Sequence, residues 1–450
     1  MINKRLARYD RIISGYPDIE KLIREVDDEC EDVSQKLYLR VFVPALVGFV
    51  EWVLHDAMDR GVKKLYFLSR DGYQMYLIGQ SICASRNIDI ECRYLSVSRY
   101  SMRLPSYHLD IDKAMDQICV GGIDITLVKI LKRAALTDAE IAAVVEEISW
   151  QDRKDKILNY SEVMKLKKEL KKELASSKKI YGYIDAHSKE CYDNAISYLS
   201  QEGMLDGEHI AVVDSGWIGT LQDSIERLMK SADTNLQLEG YYFGMYETPR
   251  DVDTEKYHAY YFSSQKGIRR KVRFANSLFE TIVSSDEGMT LSYELTTDGY
   301  KAVKESTGNP NGRQMNENIG VLKSFLKKYA DNPINLDIKK LEAITEKLME
   351  MFMSKPTMLE ARAYGDNRFS ADLLEDSQKK VAAELTYEQI KDQWFVNKLM
   401  IMIGLKKATI YESAWLEGSA VRCGKRIKEN LMHIRLYKYF VYIRKSKRRN

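Results

Sequence analysis

The chain has 450 residues, 45% of them hydrophobic and 30% charged, which is ordinary for a soluble globular protein and long enough for two or three domains, or one core with long insertions. Its six cysteines (Cys30, Cys83, Cys92, Cys119, Cys191, Cys423) are scattered without a Cys-x-x-Cys pair, which excludes a disulfide framework or a zinc site and suits reduced thiols in a cytoplasm. The net charge of +3 is uneven: residues 421–450 hold eleven Lys or Arg against one Glu, a net of +10, so residues 1–420 carry −7.

With only 7 prolines and many Lys, Glu, Leu and Met, the sequence predicts a helix-rich protein with short connections. The N-terminus, Met1-Ile2-Asn3-Lys4-Arg5, leads into charged sequence and lacks the apolar stretch of a secretion signal. Residues 1–60 read as helical and are closed by Gly61. Their longest apolar run, 41–50, contains Pro44 and Gly48 and stops at Glu51; it is too short to span a bilayer and predicts a buried helix.

A strand follows at 63–68, then a helix over 73–85 and a second strand over 90–97. That is a βαβ unit, hence a parallel sheet. Residues 106–205 lose strand character; charged amphipathic segments such as 138–148 and 161–176 predict a helical insertion or cap. The sheet resumes at 209–214, followed by a loop over 215–219, a helix over 220–230 and a strand over 238–245. Residues 316–407 are again mostly helical. The expected fold is α/β: a Rossmann-like parallel sheet with large helical insertions and a helical C-terminal region. Its expected divisions are 1–105, 106–205, 206–300, 301–420 and the basic tail 421–450.

Two strand ends share one design, an apolar strand followed by aspartate, glycine and helix. The first is Phe67-Leu68-Ser69-Arg70-Asp71-Gly72; the second is Val212-Val213-Asp214-Ser215-Gly216-Trp217-Ile218-Gly219-Thr220. Ligands of open α/β sheets bind beyond the carboxyl ends of the strands, so Asp71 and Asp214 are expected to converge on one pocket. Gly216 and Gly219 let a backbone approach an anion, and Thr220 starts a helix whose free N–H groups favour phosphate. The plainer alternative is that both aspartates cap helices and the glycines only make turns. Glu280, in Ser277-Leu278-Phe279-Glu280, stands in an apolar and aromatic setting ahead of Asp286-Glu287-Gly288, whose acids read equally well as a solvated loop. Ser69, Arg70, Gly72, Arg99, Ser215 and Trp217 complete the expected binding set, with Arg269, Arg270 and Lys271 as further anion donors. The six histidines have no metal-ligand spacing, and no metal ligand is assigned. His187 is a candidate base, with a surface role as its alternative. The clusters 241–243 and 260–262 read as core strands, with sugar stacking as the minor alternative.

The segment Phe67 to Gly72 resembles the first motif of the haloacid-dehalogenase-like superfamily, Asp-x-Asp-Gly after a first strand. Together with Tyr94-Leu95-Ser96-Val97-Ser98-Arg99, the Asp-x-Gly-Trp-x-Gly-Thr segment from Asp214 to Thr220, and Phe279-Glu280 up to Gly288 and Tyr293, it is similar to haloacid-dehalogenase-like proteins found with bacterial surface-polysaccharide genes. These segments cover under a third of the chain. The resemblance implies a general acid/base at Asp71 and a nucleophile at position 69, where this chain has serine. A serine hydroxyl is neither ionised at neutral pH nor a ready Mg²⁺ ligand, so aspartyl-phosphate chemistry is not expected; Mg²⁺ is the one cofactor left open.

The expected function is therefore sugar transfer from a nucleotide donor to a glycan acceptor in surface-polysaccharide assembly, with Asp71, Asp214 and Glu280 as the catalytic carboxylates. Its alternatives are a phosphohydrolase acting on a phosphorylated sugar and a catalytically silent scaffold that binds a sugar phosphate or partner enzyme. The tail, whose aromatics Tyr437, Tyr439, Phe440 and Tyr442 alternate with Lys and Arg, suits the anionic inner face of a cell membrane rather than nucleic acid. A cytoplasmic, peripheral location is the expectation.

Overall fold

The computed structural model describes residues 2–447 apart from 122–123, 159, 175–177, 333, 335, 371–373, 375–377, 403–404, 407–409 and 412. Ser176, at the end of the expected helix 161–176, Lys407, at the end of the expected helical stretch, and tail residues 448–450 lie outside the described residues.

Five strands form one parallel sheet: β1 (Lys64–Leu68), β2 (Glu91–Leu95), β3 (Ile210–Trp217), β4 (Glu239–Met245) and β5 (Tyr257–Phe262). The protein is thus a mixed α/β structure. Their order is β2-β1-β3-β4-β5, so the chain leaves β1 in one direction and returns on its other side. β1 pairs Leu68 with Leu95 of β2 and Phe67 with Val213 of β3, which puts the Ser-Arg-Asp loop between the carboxyl ends of both neighbours.

Alternate residues of β1 serve two different cores, as the pleat requires. Leu65 and Phe67 face a large core shared with the N-terminal helices and helices from the last third of the chain. Tyr66 and Leu68 face a second core, built from Tyr198 and Leu199 of the helix Lys178–Gln201 and Ile225, Leu228 and Met229 of the helix Thr220–Ala232. Each large apolar side chain buried this way contributes roughly 1.5–3 kcal/mol. Residues between 104 and 184 close a third core of their own, built from helices and the loops that join them.

The apolar run at 41–50 belongs to the helix Val33–Arg60, which starts with the Asp32 side chain accepting the N–H of Gln35 and ends at the left-handed Gly61. Among the described residues it is the one helix long and apolar enough to cross a membrane, and 94% of its apolar window is buried inside the protein. Its buried charges are paired: Arg40 with Asp10 at 2.7 Å and with Asp27, Glu51 with Arg86 at 2.7 Å. A continuous apolar surface is what a helix packed on all sides needs.

Two further pieces of strand were not expected. β6 (Thr290–Thr296) and β7 (Gly299–Lys304) form an antiparallel hairpin whose Tyr293 stacks on Tyr198, ring centroids 4.3 Å apart. β8 (Arg368–Ser370) and β9 (Gln378–Lys380) pair within the region expected to be helical.

Candidate functional site

A cavity of about 390 Å³ opens at the carboxyl end of β1 and β3, where the chain order of the sheet reverses. Its lining includes Asp71, Asp214 and Glu280, together with Arg70, Arg99 and Arg368. That volume lies in the lower part of the usual small-molecule range of about 300–1,000 Å³.

Asp71 precedes the helix Gly72–Arg86 in the capping position, yet its side chain caps no helix N–H. The carboxylate instead accepts the hydroxyl of Ser215 from β3 at 2.5 Å and that of Ser284, just after the helix Asn276–Val283, at 3.0 Å. The helix-cap alternative therefore fails for Asp71. Burial raises the pKa of this carboxyl; the two hydroxyls, Arg70 and Arg99 oppose the rise.

Asp214 lies on β3, five residues before the Gly219 cap of the helix Thr220–Ala232, so it does not cap that helix either. Burial and the neighbouring Asp71 push its pKa up to about 7, against the pull of the main-chain N–H groups of Ser215 and Gly216. Glu280 accepts the indole N–H of Trp217 at 2.5 Å, and burial, then Asp71, push its pKa up to about 8. Three carboxylates in one poorly solvated space cannot all ionise cheaply. The result is a site that holds protons at neutral pH.

Ser69 lines the cavity, but its hydroxyl is occupied. It donates to the carbonyl of Val97 at 2.6 Å and accepts the Val97 N–H at 2.9 Å, bridging the ends of β1 and β2 beyond their last paired residues. Ser69→Ala is expected to cost about 1–2 kcal/mol of stability, read by thermal unfolding, while activity stays within about tenfold.

Gly216 has φ 108°, and a Cβ there would stand 2.5 Å from the carbonyl oxygen of Gly244 on β4. Gly216→Ala is expected to lower stability by about 2 kcal/mol and to displace Trp217, measurable as a lower Tm and altered tryptophan fluorescence. Trp217 is wedged against Phe274 and Phe279, ring centroids 5.3 and 6.0 Å away, so its indole positions Glu280 more than it offers a stacking surface. Gly219 and Thr220 line the cavity, and the Thr220 hydroxyl accepts from the buried Arg103 at 2.9 Å.

Gly72 is not on the cavity wall. A Cβ there would lie 2.9 Å from the main chain of Phe67, so glycine lets the helix start fold back on β1. Arg99 is exposed at the cavity and makes no hydrogen bond or ion pair among the described residues, although its charge favours ionisation of all three acids. Arg70 reaches the carbonyl of Glu287 at 3.4 Å. The other expected anion donors are elsewhere: Arg270 pairs with Glu342 and Glu346, Arg269 with Glu350, and Lys271 donates to the carbonyl of Ser264. His187 sits beside Glu140 at 2.9 Å and does not line the cavity. Asp286 accepts from Asn316, and Glu287 pairs with Lys304 and accepts from Tyr94.

Sequence reasoning missed Ser284, Arg368 and Asn311. Asn311 grips the main chain of Arg368 twice, donating to its carbonyl at 2.7 Å and accepting its N–H at 2.8 Å, which fixes β8 at the cavity. The Asn309-Pro310-Asn311-Gly312 turn was the one signal available for it.

Among the described residues no group of three or more His, Cys, Asp or Glu side chains is arranged to hold a metal ion. No protein-family model matches the chain, and no curated protein matches it.

Proposed function

We propose that this chain is an enzyme of bacterial surface-polysaccharide assembly that transfers a sugar from a nucleotide donor to a growing glycan, on a Rossmann-like core of the haloacid-dehalogenase-like type. One observation carries the proposal: three carboxylates, of which burial and the charge of Asp71 push Asp214 and Glu280 towards the protonated form, share a cavity with three arginines, while the hydroxyl at the nucleophile position is bonded into the main chain. The strand order 2-1-3-4-5 is that of flavodoxin-like doubly wound sheets, which supports the Rossmann-like class.

In this chemistry Asp71 takes the proton of the acceptor hydroxyl as its oxygen attacks the anomeric carbon. The bond from that carbon to the diphosphate oxygen breaks, and the nucleoside diphosphate leaves with the electron pair. Arg70, Arg99, Arg368 and the N–H groups around Thr220 hold the leaving charge. Glu280, protonated at neutral pH, and Asp214, titrating near it, donate to sugar hydroxyls. No covalent enzyme intermediate is required, so Ser69 keeps its structural bonds.

A phosphohydrolase is the second reading, favoured by Asp71 and Asp214 standing at the ends of neighbouring strands, where a carboxylate can activate water against a sugar phosphate. Incubation with panels of sugar nucleotides and sugar phosphates separates the two. Nucleoside diphosphate released only with a glycan acceptor supports transfer; phosphate released from sugar phosphates supports hydrolysis; silence on both panels supports the scaffold. Arg99→Ala is expected to raise KM for the donor about 30-fold with a smaller change in kcat and an unchanged Tm, measured by steady-state kinetics and thermal unfolding.

A further inference from the structure

The helix Ile427–Lys447 turns two unlike faces to its surroundings. Its inner face is packed: Asn430 and Ile434 are buried, Lys438 pairs with Glu417 at 2.7 Å, Tyr442 stacks on Tyr246 with centroids 5.3 Å apart, and Lys445 pairs with Glu247 at 2.8 Å. At 100° per residue these five positions span about a third of its circumference.

The outer face is the unusual one. Met432, Leu436, Phe440 and Ile443 are 50%, 47%, 37% and 42% exposed, at spacings of four, four and three residues. At 100° per residue these form one stripe about 80° wide. A helix face turned to water is normally polar. The Phe440 ring is 5.4 Å from Phe395 of the helix Phe395–Met402, whose Val396 is also exposed. Lys428 and Arg444, both exposed, flank the stripe on opposite sides, and Arg435 lies beside Lys428 with a buried Nε that has no partner.

We propose that this stripe docks the protein on an anionic phospholipid surface, with Met432, Leu436, Phe440 and Ile443 at acyl depth and Lys428, Arg435 and Arg444 at the phosphates. Charge complementarity selects this occupant. The net charge of 421–450 is +10, whereas residues 1–420 carry −7, so an anionic surface attracts the end of the chain that holds this helix and repels the remainder. The same asymmetry orients the molecule, bringing one face to the lipid.

Co-sedimentation of the full chain with phosphatidylcholine vesicles, with and without about 30 mol% phosphatidylglycerol, tests this. The anionic vesicles are expected to bind at least tenfold more tightly, with the difference collapsing at about 0.5 M salt. Met432→Ser/Leu436→Ser and, separately, Lys428→Gln/Arg444→Gln should each weaken binding about tenfold; because all four positions are exposed, the Tm should stay unchanged. Failure to bind anionic vesicles overturns the proposal. So does binding that neither double variant weakens, or self-association in solution that Met432→Ser/Leu436→Ser abolishes, which would assign the stripe to a second copy of the chain. The readout needs no catalytic turnover, so it stands or falls apart from the sugar-transfer proposal.

Discussion

Asp71→Asn is expected to lower kcat by about three orders of magnitude, with KM for the sugar donor nearly unchanged and the fold intact. The magnitude follows from general-base catalysis, which contributes about 10²–10⁴ in rate. The fold survives because the amide keeps both contacts: its oxygen accepts from Ser215, and its NH₂ donates to Ser284, whose hydroxyl rotates to accept. A second readout separates catalysis from structure. The charge of Asp71 is among the causes that raise the pKa of both Asp214 and Glu280, so its removal should lower both. The alkaline limb of the residual pH–rate profile should therefore move to lower pH. Ser69→Ala is the contrasting variant, since its hydroxyl serves Val97. Asp71→Asn activity above about a tenth of wild type would remove Asp71 from the role of base.

The sheet was legible because its central strands β1, β3 and β4 are apolar runs with sharp polar ends. The expected strand 63–68 is observed as Lys64–Leu68, and 238–245 as Glu239–Met245. The expected strand 209–214 runs on to Trp217, because the main chain of 216–217 still pairs with Gly244 and Met245 on β4. The site was legible as two loops, since parallel pairing carries every strand end to one edge and a single register brings Asp71 and Ser215 together. Glu280 joins them by packing: the Trp217 indole, pinned by Phe274 and Phe279, reaches its carboxylate.

What stayed hidden depends on contacts between distant residues. Nothing local to Ser69 indicates that its hydroxyl bridges to Val97; that follows only from the β1–β2 register. Arg368 reaches the cavity from a three-residue strand whose place is set by Asn311, 57 residues earlier. The β6–β7 hairpin was an avoidable omission. Thr297-Asp298-Gly299 carries an Asp-Gly turn signal with Gly299 at φ 105°, but the flanking strands mix Glu294 and Lys301 with their apolar residues and so lack clean alternation. In the tail, composition revealed the charge and the aromatics, while only the packing of Tyr442 on Tyr246 and of Phe440 near Phe395 shows which side faces outward.

Glu280→Gln is expected to stabilise the protein in alkaline solution while impairing turnover. The native pKa of Glu280 is raised to about 8, whereas a glutamate in the unfolded chain titrates near ~4.3. Between these values the folded state holds a proton that the unfolded state has released, so wild-type stability falls as pH rises through that window. Below it both states are protonated and Glu280 adds no penalty; above pH 8 the penalty is complete. Every pH unit separating the native and unfolded titrations costs about 1.4 kcal/mol, which caps the penalty at roughly 5 kcal/mol. Relaxation around Asp71 and Asp214 brings the expected gain of the neutral amide nearer to about 3 kcal/mol. Glutamine still accepts the Trp217 N–H, so packing is retained. The difference in Tm between Glu280→Gln and wild type should accordingly be near zero at pH 4, grow through pH 5–8 and level off beyond. A difference that is flat with pH, or negative at pH 9, would mean that Glu280 is ionised in the native protein. The stability gained and the activity lost would share one origin, because the carboxyl that folding must keep protonated is the one that serves as a donor in the proposed sugar transfer.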